Sequence, residues 1–121
     1  MIDHVGLRTT RLTELVRFYG AALAPLGYAK LFEWDGGAGF GRAGVAGLWI
    51  GASKTMATGV HLALSAPDRR AVDEFYKSAL SAGATDNGPP GLRPNYGAAY
   101  YGAFVVDPDG NNLEAVCRSG G

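Results

Sequence analysis

The sequence predicts an α+β domain built from two β-α-β-β-β modules, each contributing a curved mixed sheet around a cavity. Three observations predict it. The only two histidines, His4 and His61, lie 57 residues apart in similar alternating segments, Ile2-Asp3-His4-Val5-Gly6-Leu7 and Gly59-Val60-His61-Leu62-Ala63-Leu64. The same offset superimposes Phe18-Tyr19 on Phe75-Tyr76 and Leu23 on Leu80. The inferred order of elements is also the same in both halves, as a duplicated supersecondary unit requires. Residues 1–121 are expected to form one domain, with module 1 at about 1–54 and module 2 at about 57–118.

In module 1, residues 2–7 alternate as a short strand, and Thr9-Thr10 supply a capping region. Residues 11–24 then carry Leu12, Leu15, Val16, Tyr19 and Leu23 at helical spacing. Pro25 and Gly27 stop that helix. Residues 28–34 return to strand chemistry, the Gly36-Gly37 turn leads to a strand at 38–42, and residues 45–50 follow the Ala43-Gly44 turn.

Module 2 repeats the order. Residues 60–65 form a strand, and Pro67-Asp68 opens a helix running to about Ser81, with Val72, Phe75, Tyr76, Ala79 and Leu80 toward the core. Gly83 is its stop. Residues 86–97 are poorly patterned, hold three of the six prolines and are expected to include a short edge strand. Residues 100–106 and 111–117 form the clearest hairpin. Its connection, Asp107-Pro108-Asp109-Gly110-Asn111, suits a type I turn in which Gly110 supplies the left-handed residue. In that register Phe104 stands opposite Glu114, with Tyr100 and Gly102 on the same face.

Bulk properties narrow the functional classes. The chain is 47% hydrophobic and 18% charged, the balance of an ordinary globular domain. Eleven basic residues offset eleven acidic ones, so no net field recruits nucleic acid or an acidic membrane. No apolar run approaches the roughly 20 residues of a membrane helix, and the first residues lack the pattern of a signal peptide. The single cysteine, Cys117, excludes an intramolecular disulfide and reads as a small core residue. A cytoplasmic location is expected.

Glu114 stands among Leu113, Ala115, Val116 and Cys117. A carboxylate placed there needs a partner, because desolvating it alone costs several kcal/mol. A coordinated cation is one such partner. Two histidines and a carboxylate make a three-ligand face that leaves positions open for water or substrate. Each histidine taken alone reads equally well as a hydrogen-bonded sheet residue, and Glu114 as the partner of an arginine.

The paired modules, the histidine strands and Asp107-Pro108-Asp109-Gly110-Asn111-Asn112-Leu113-Glu114 resemble the vicinal oxygen chelate superfamily. That group holds glyoxalase I, fosfomycin-resistance transferases, extradiol dioxygenases and the bleomycin-resistance proteins. The resemblance extends from Ile2 to Cys117 and implies the glyoxalase/bleomycin-resistance-like fold. It implies a divalent metal ion (Fe, Mn, Zn, Ni or Co) held by His4, His61 and Glu114. In one respect the sequence departs from the pattern. Ala46-Gly47-Leu48-Trp49-Ile50 aligns with Asn111-Asn112-Leu113-Glu114-Ala115, so Trp49 stands where a four-ligand glyoxalase I places another carboxylate. The expected ligand set is therefore nearer that of fosfomycin-resistance transferases and extradiol dioxygenases. The shortness of the chain disfavours a typical extradiol dioxygenase, whose catalytic chain carries two such duplicated domains.

Trp49 is expected either to wall a substrate pocket or to pack in the core. Glu114 and Tyr100 are the catalytic candidates, Tyr100 as a donor to an oxygen held at the metal. Phe104 is expected to shape the pocket, and Arg93 and Tyr96, in the Pro/Gly-rich segment with Asn95, to contact an anionic substrate. The resemblance implies a metal-dependent enzyme acting on a small oxygen-chelating molecule, of lyase or isomerase, transferase or dioxygenase type. Bleomycin-resistance proteins supply the alternative, a non-catalytic binding or sequestering protein, here with an aromatic cavity around Trp34, Trp49 and Phe104. Small relatives commonly form homodimers. In several, the first module of one chain meets the second of its partner, so His4 would join His61 and Glu114 across a subunit boundary; a closed monomer is the other arrangement.

Overall fold

A computed structural model describes residues 1–120; Gly121, the last residue of the expected domain span, lies outside the described residues. In chain order the first half comprises β1 (Val5–Thr9), α1 (Leu12–Leu23), a 3-10 turn (Ala24–Leu26), β2 (Ala29–Trp34), β3 (Gly37–Arg42) and β4 (Val45–Ala52). The second comprises β5 (His61–Ser65), α2 (Arg69–Ser81), β6 (Thr85–Leu92), β7 (Tyr101–Val106) and β8 (Asn112–Cys117). Each half makes a four-stranded mixed sheet, ordered β1-β4-β3-β2 and β5-β8-β7-β6. The first strand of each module runs parallel to the last, and the other pairings are antiparallel. The expected α+β fold of two β-α-β-β-β modules is what forms.

Local chemistry explains the boundaries. Arg11 is the N-cap of α1 without a side-chain bond, while Thr9 Oγ1 accepts from the Arg11 amide at 3.0 Å. Pro25 tightens the end of the helix into the 3-10 turn, and Gly27 closes it at φ 90°, where a side chain would be strained. Asp68 caps α2, its Oδ1 accepting from the Ala71 amide at 2.7 Å. The strands begin later than periodicity suggests. His4 precedes β1 instead of lying within it, and β5 opens on His61.

One face of each sheet packs on the helices. Phe18, Tyr19, Ala22 and Leu23 of α1 and Val72, Phe75 and Ala79 of α2 are fully buried against Leu7, Phe40, Ile50, Val105, Leu113 and Ala115. Burial of each large side chain stabilises by roughly 1.5–3 kcal/mol. Cys117 is a buried free thiol, as expected of a core residue. The poorly patterned segment does hold the expected edge strand, β6, which is longer than expected and pairs with β7 from Thr85 to Leu92, with register shifts between Asp86 and Gly88 and between Gly88 and Gly91. A proline has no amide to donate, and an edge strand tolerates that loss. No helix among the described residues is long and apolar enough to cross a membrane.

Candidate metal and ligand site

Glu114 is placed by the hairpin before it. Phe104 pairs with Glu114 across β7–β8, and Ala63 pairs with Glu114 across β5–β8. Paired residues share a face and side chains alternate along a strand, so His61, Phe104 and Glu114 project together, away from the helices. His61 Nε2 lies 2.8 Å from Glu114 Oε1. The carboxylate is only 1% exposed, whereas the histidine side chain is 55% exposed. The second carboxylate oxygen accepts from the Tyr100 hydroxyl. Burial, and then the hydrogen bond and charge of Glu114, push the Tyr100 phenol up to about 12. The Phe104 ring lies beside His61, centroids 6.2 Å apart.

The turn that leads into β8 is latched from several directions. Asp107 Oδ1 accepts from the amides of Asp109 and Asn111, at 2.8 and 2.9 Å, and Oδ2 accepts from the Tyr19 hydroxyl at 2.6 Å. Asn111 donates to the Ala57 carbonyl and accepts from the Val60 amide, and Arg11 bonds Asp109 and the Pro108 carbonyl. Gly110 takes φ 91°, the left-handed conformation expected of it. Residues from α1, β5's approach and the turn thereby hold β8, and with it Glu114, in register.

The matching row of module 1 carries different chemistry. Gly6 pairs with Trp49 as Ala63 pairs with Glu114, so Trp49 occupies the register position of the carboxylate. Its indole lies over Gly39, where a Cβ would come within 2.5 Å of the ring. Phe32 stacks on Trp49 at 5.7 Å with planes 21° apart, and Trp34 lies 5.9 Å away at 56°. Phe32 and Trp34 are 46% and 53% exposed. The sequence reading overlooked Phe32. Its signal was the alternation Gly37, Gly39, Gly41 in β3, which clears one face for rings from the strands on either side.

Other expected site residues are distributed unevenly. His4 does not join His61 and Glu114 in this chain. Its side chain is 57% exposed, with Nδ1 2.7 Å from Asp3 Oδ1. Among the described residues no three His, Cys, Asp or Glu side chains gather in a group that could hold a metal ion. Within a single chain His61 and Glu114 come together, while His4 lies just before β1, a strand of the first sheet. That pair itself suits a cation. Two ligand atoms about 2.1 Å from one ion lie about 3.0 Å apart at 90° and about 3.4 Å apart at the tetrahedral angle, so the 2.8 Å hydrogen-bond separation opens only slightly to admit one. The Tyr100 hydroxyl donates to Glu114 Oε2. Arg93 donates to the carbonyls of Pro89 and Leu92 and lies over the Phe104 ring at 5.4 Å. Tyr96 is exposed and meets the edge of Tyr100 at 5.3 Å. Trp34 and Trp49 come together, but Phe104 lies on the other sheet, so the three do not form one cavity within the chain.

The family model described as Glyoxalase/Bleomycin resistance protein/Dioxygenase superfamily matches residues 1–115. The chain belongs to this superfamily. A glyoxalase/bleomycin resistance protein from Albidiferax ferrireducens T118 superimposes with TM-score 0.79 at 24% identity, covering 96% of this chain and 97% of that one. A putative glyoxalase from Bacillus halodurans gives 0.72 at 25% identity over 97% and 95% of the chains. A glyoxalase-related enzyme from Fulvimarina pelagi gives 0.73 at 20% identity over 97% and 87%. None of the curated proteins matches the sequence. Within the superfamily fold, Glu114 and Trp49 stand at equivalent register positions of the two modules.

Proposed function

We propose that this superfamily member is a divalent-metal-dependent enzyme acting on a small molecule that chelates through neighbouring oxygens. Two copies of the chain complete its site, His4 of one reaching His61 and Glu114 of the other. The observation that carries this reading is the His61–Glu114 contact: a carboxylate buried between Leu113 and Ala115, 2.8 Å from an exposed imidazole. Burying a carboxylate is costly; the Tyr100 hydroxyl and a partly exposed histidine offset part of that cost, and a cation joining His61 and Glu114 would offset more. Both faces that would meet, that of His61 and that of Trp49, are uncovered in the single chain, which supports a homodimer. A bound divalent ion supplies Lewis acidity for negative charge developing on a substrate oxygen. His61 and Glu114 orient it, and Trp49, Phe32 and Phe104 exclude water and contact the rest of the ligand; Tyr96 and Arg93 border the same sheet. The reaction is of lyase or isomerase, transferase or dioxygenase type, and Trp49 in place of a carboxylate sets it apart from four-ligand glyoxalase I.

The test is metal analysis of protein purified without a metal-binding tag and supplemented in turn with Mn, Fe, Co, Ni and Zn. About one ion per chain is expected, lost in His61→Ala and Glu114→Ala. Absence of stoichiometric metal in the unaltered protein after every supplement would overturn the reading.

The exposed Phe32–Trp34–Trp49 surface favours a second reading, a metal-free protein that sequesters an apolar ring-bearing molecule. On that reading an apolar fluorescent probe binds, Trp49→Ala abolishes its binding, and Glu114→Ala leaves it unchanged.

A further inference from the structure

We propose that Tyr100 is a positioning residue that holds Glu114 as a single-oxygen ligand, and this rests on the metal-centre reading above. The two carboxylate oxygens of Glu114 have different partners. Oε1 faces His61 Nε2 at 2.8 Å, and Oε2 accepts from the Tyr100 hydroxyl. The phenol is confined on several sides. The Arg118 guanidinium lies 4.8 Å from its ring centroid, and the Tyr96 ring meets it edge-on at 5.3 Å. Gly102 leaves the remaining space. A Cβ there would sit 3.2 Å from the Tyr100 ring and 3.4 Å from Glu114 Oε2. The hydroxyl is therefore aimed by packing, and among the described residues its only side-chain hydrogen bond is to Glu114.

A carboxylate whose one oxygen is occupied by a strong donor offers the other oxygen alone to a cation. Partners of this kind orient ligands and tune affinity although they never touch the metal. The consequence is economical in coordination positions. A carboxylate binding through both oxygens would take a place that a ligand chelating through two oxygens needs. Tyr100 keeps that place free and stops the Glu114 side chain from rotating toward two-oxygen binding.

Tyr100→Phe keeps the ring and its packing and removes only the hydroxyl. Isothermal titration with Co(II) should show affinity falling about tenfold or more. The visible absorption spectrum of the Co(II)-loaded protein, which reports coordination number, should change as well. Tyr101→Phe is the control. It removes a comparable tyrosine–carboxylate bond, to Asp73 at 2.6 Å, away from the site, and should leave both readouts at wild-type values. Tyr100→Phe with wild-type affinity and spectrum would overturn the positioning role while leaving the metal centre standing. Wild-type protein that takes up no Co(II) would overturn both.

Discussion

The Tyr19 hydroxyl of α1 donates to Asp107 Oδ2 at 2.6 Å, joining a helix of the first module to the turn that aims Glu114 in the second. The same carboxylate accepts from the amides of Asp109 and Asn111, and both partners are buried. Asp107→Ala would leave those donors unsatisfied, each at about 1–3 kcal/mol. The expected loss is on the order of 3 kcal/mol, which lowers the melting temperature by roughly 10 °C for a domain of this size. Calorimetry checks it, and a loss below about 1 kcal/mol would show that the latch is dispensable.

Tyr19 also sets an alkaline limit. Its phenol is raised from an ordinary value of 10.0, first by burial and then by the charge and hydrogen bond of Asp107. Above pH 10 the unfolded tyrosine ionises while the folded one keeps its proton, so the unfolded state gains. The contribution of Tyr19 is therefore complete below that pH and lost progressively above it. Denaturant titrations of wild type and Tyr19→Phe between pH 8 and pH 11.5 should show the steeper alkaline loss in wild type. Parallel curves would refute the assignment.

Gly39 is the floor under Trp49. A Cβ at this position would lie 2.5 Å from the indole, closer than atoms can approach, so Gly39→Ala must displace the ring. The cost expected for such overpacking is about 1–3 kcal/mol. In a Trp34→Phe background the fluorescence maximum reports Trp49 alone and should shift to longer wavelength as the ring is pushed outward. An unchanged maximum would mean that β3 yields instead.

The shared-site reading makes a prediction about mixtures. His4→Ala and His61→Ala homodimers should each lose stoichiometric metal. Co-expression gives a heterodimer in which one site carries both substitutions and the other carries neither. Purified through two different tags that do not bind metal, it should recover one ion per dimer. Recovery of none would place His4 and His61 in a site within one chain, and a His4→Ala homodimer that keeps its metal would place His4 outside the site.

Much of the fold was legible because its signals are local. The 3.6-residue spacing of α1 and α2, the alternation of β1 and β5, and the turn chemistry of Asp107-Pro108-Asp109-Gly110 each lie within a short stretch of chain. The β7–β8 register, with Phe104 opposite Glu114, followed from that turn. β6 was less legible. Pro89 and Pro90 hide its alternation, and its pairing comes from β7, not from its own pattern. Phe32 was missed because its partner, Trp49, lies two strands away on a face that β3 glycines leave open.

The candidate site divides along the same line. The chain by itself determined the two-module architecture, the family, Phe104 opposite Glu114, and Trp49 at the position equivalent to Glu114. These depend on residue identity and on a repeat in one dimension. Only the tertiary structure decided that His4 stands apart from the other two donors, that Arg93 is engaged by its own loop's carbonyls, and that the Tyr100 hydroxyl is directed to Glu114. Those outcomes depend on how two separate sheets are set around the helices and on which neighbours confine a ring, and packing of that kind has no period along the chain.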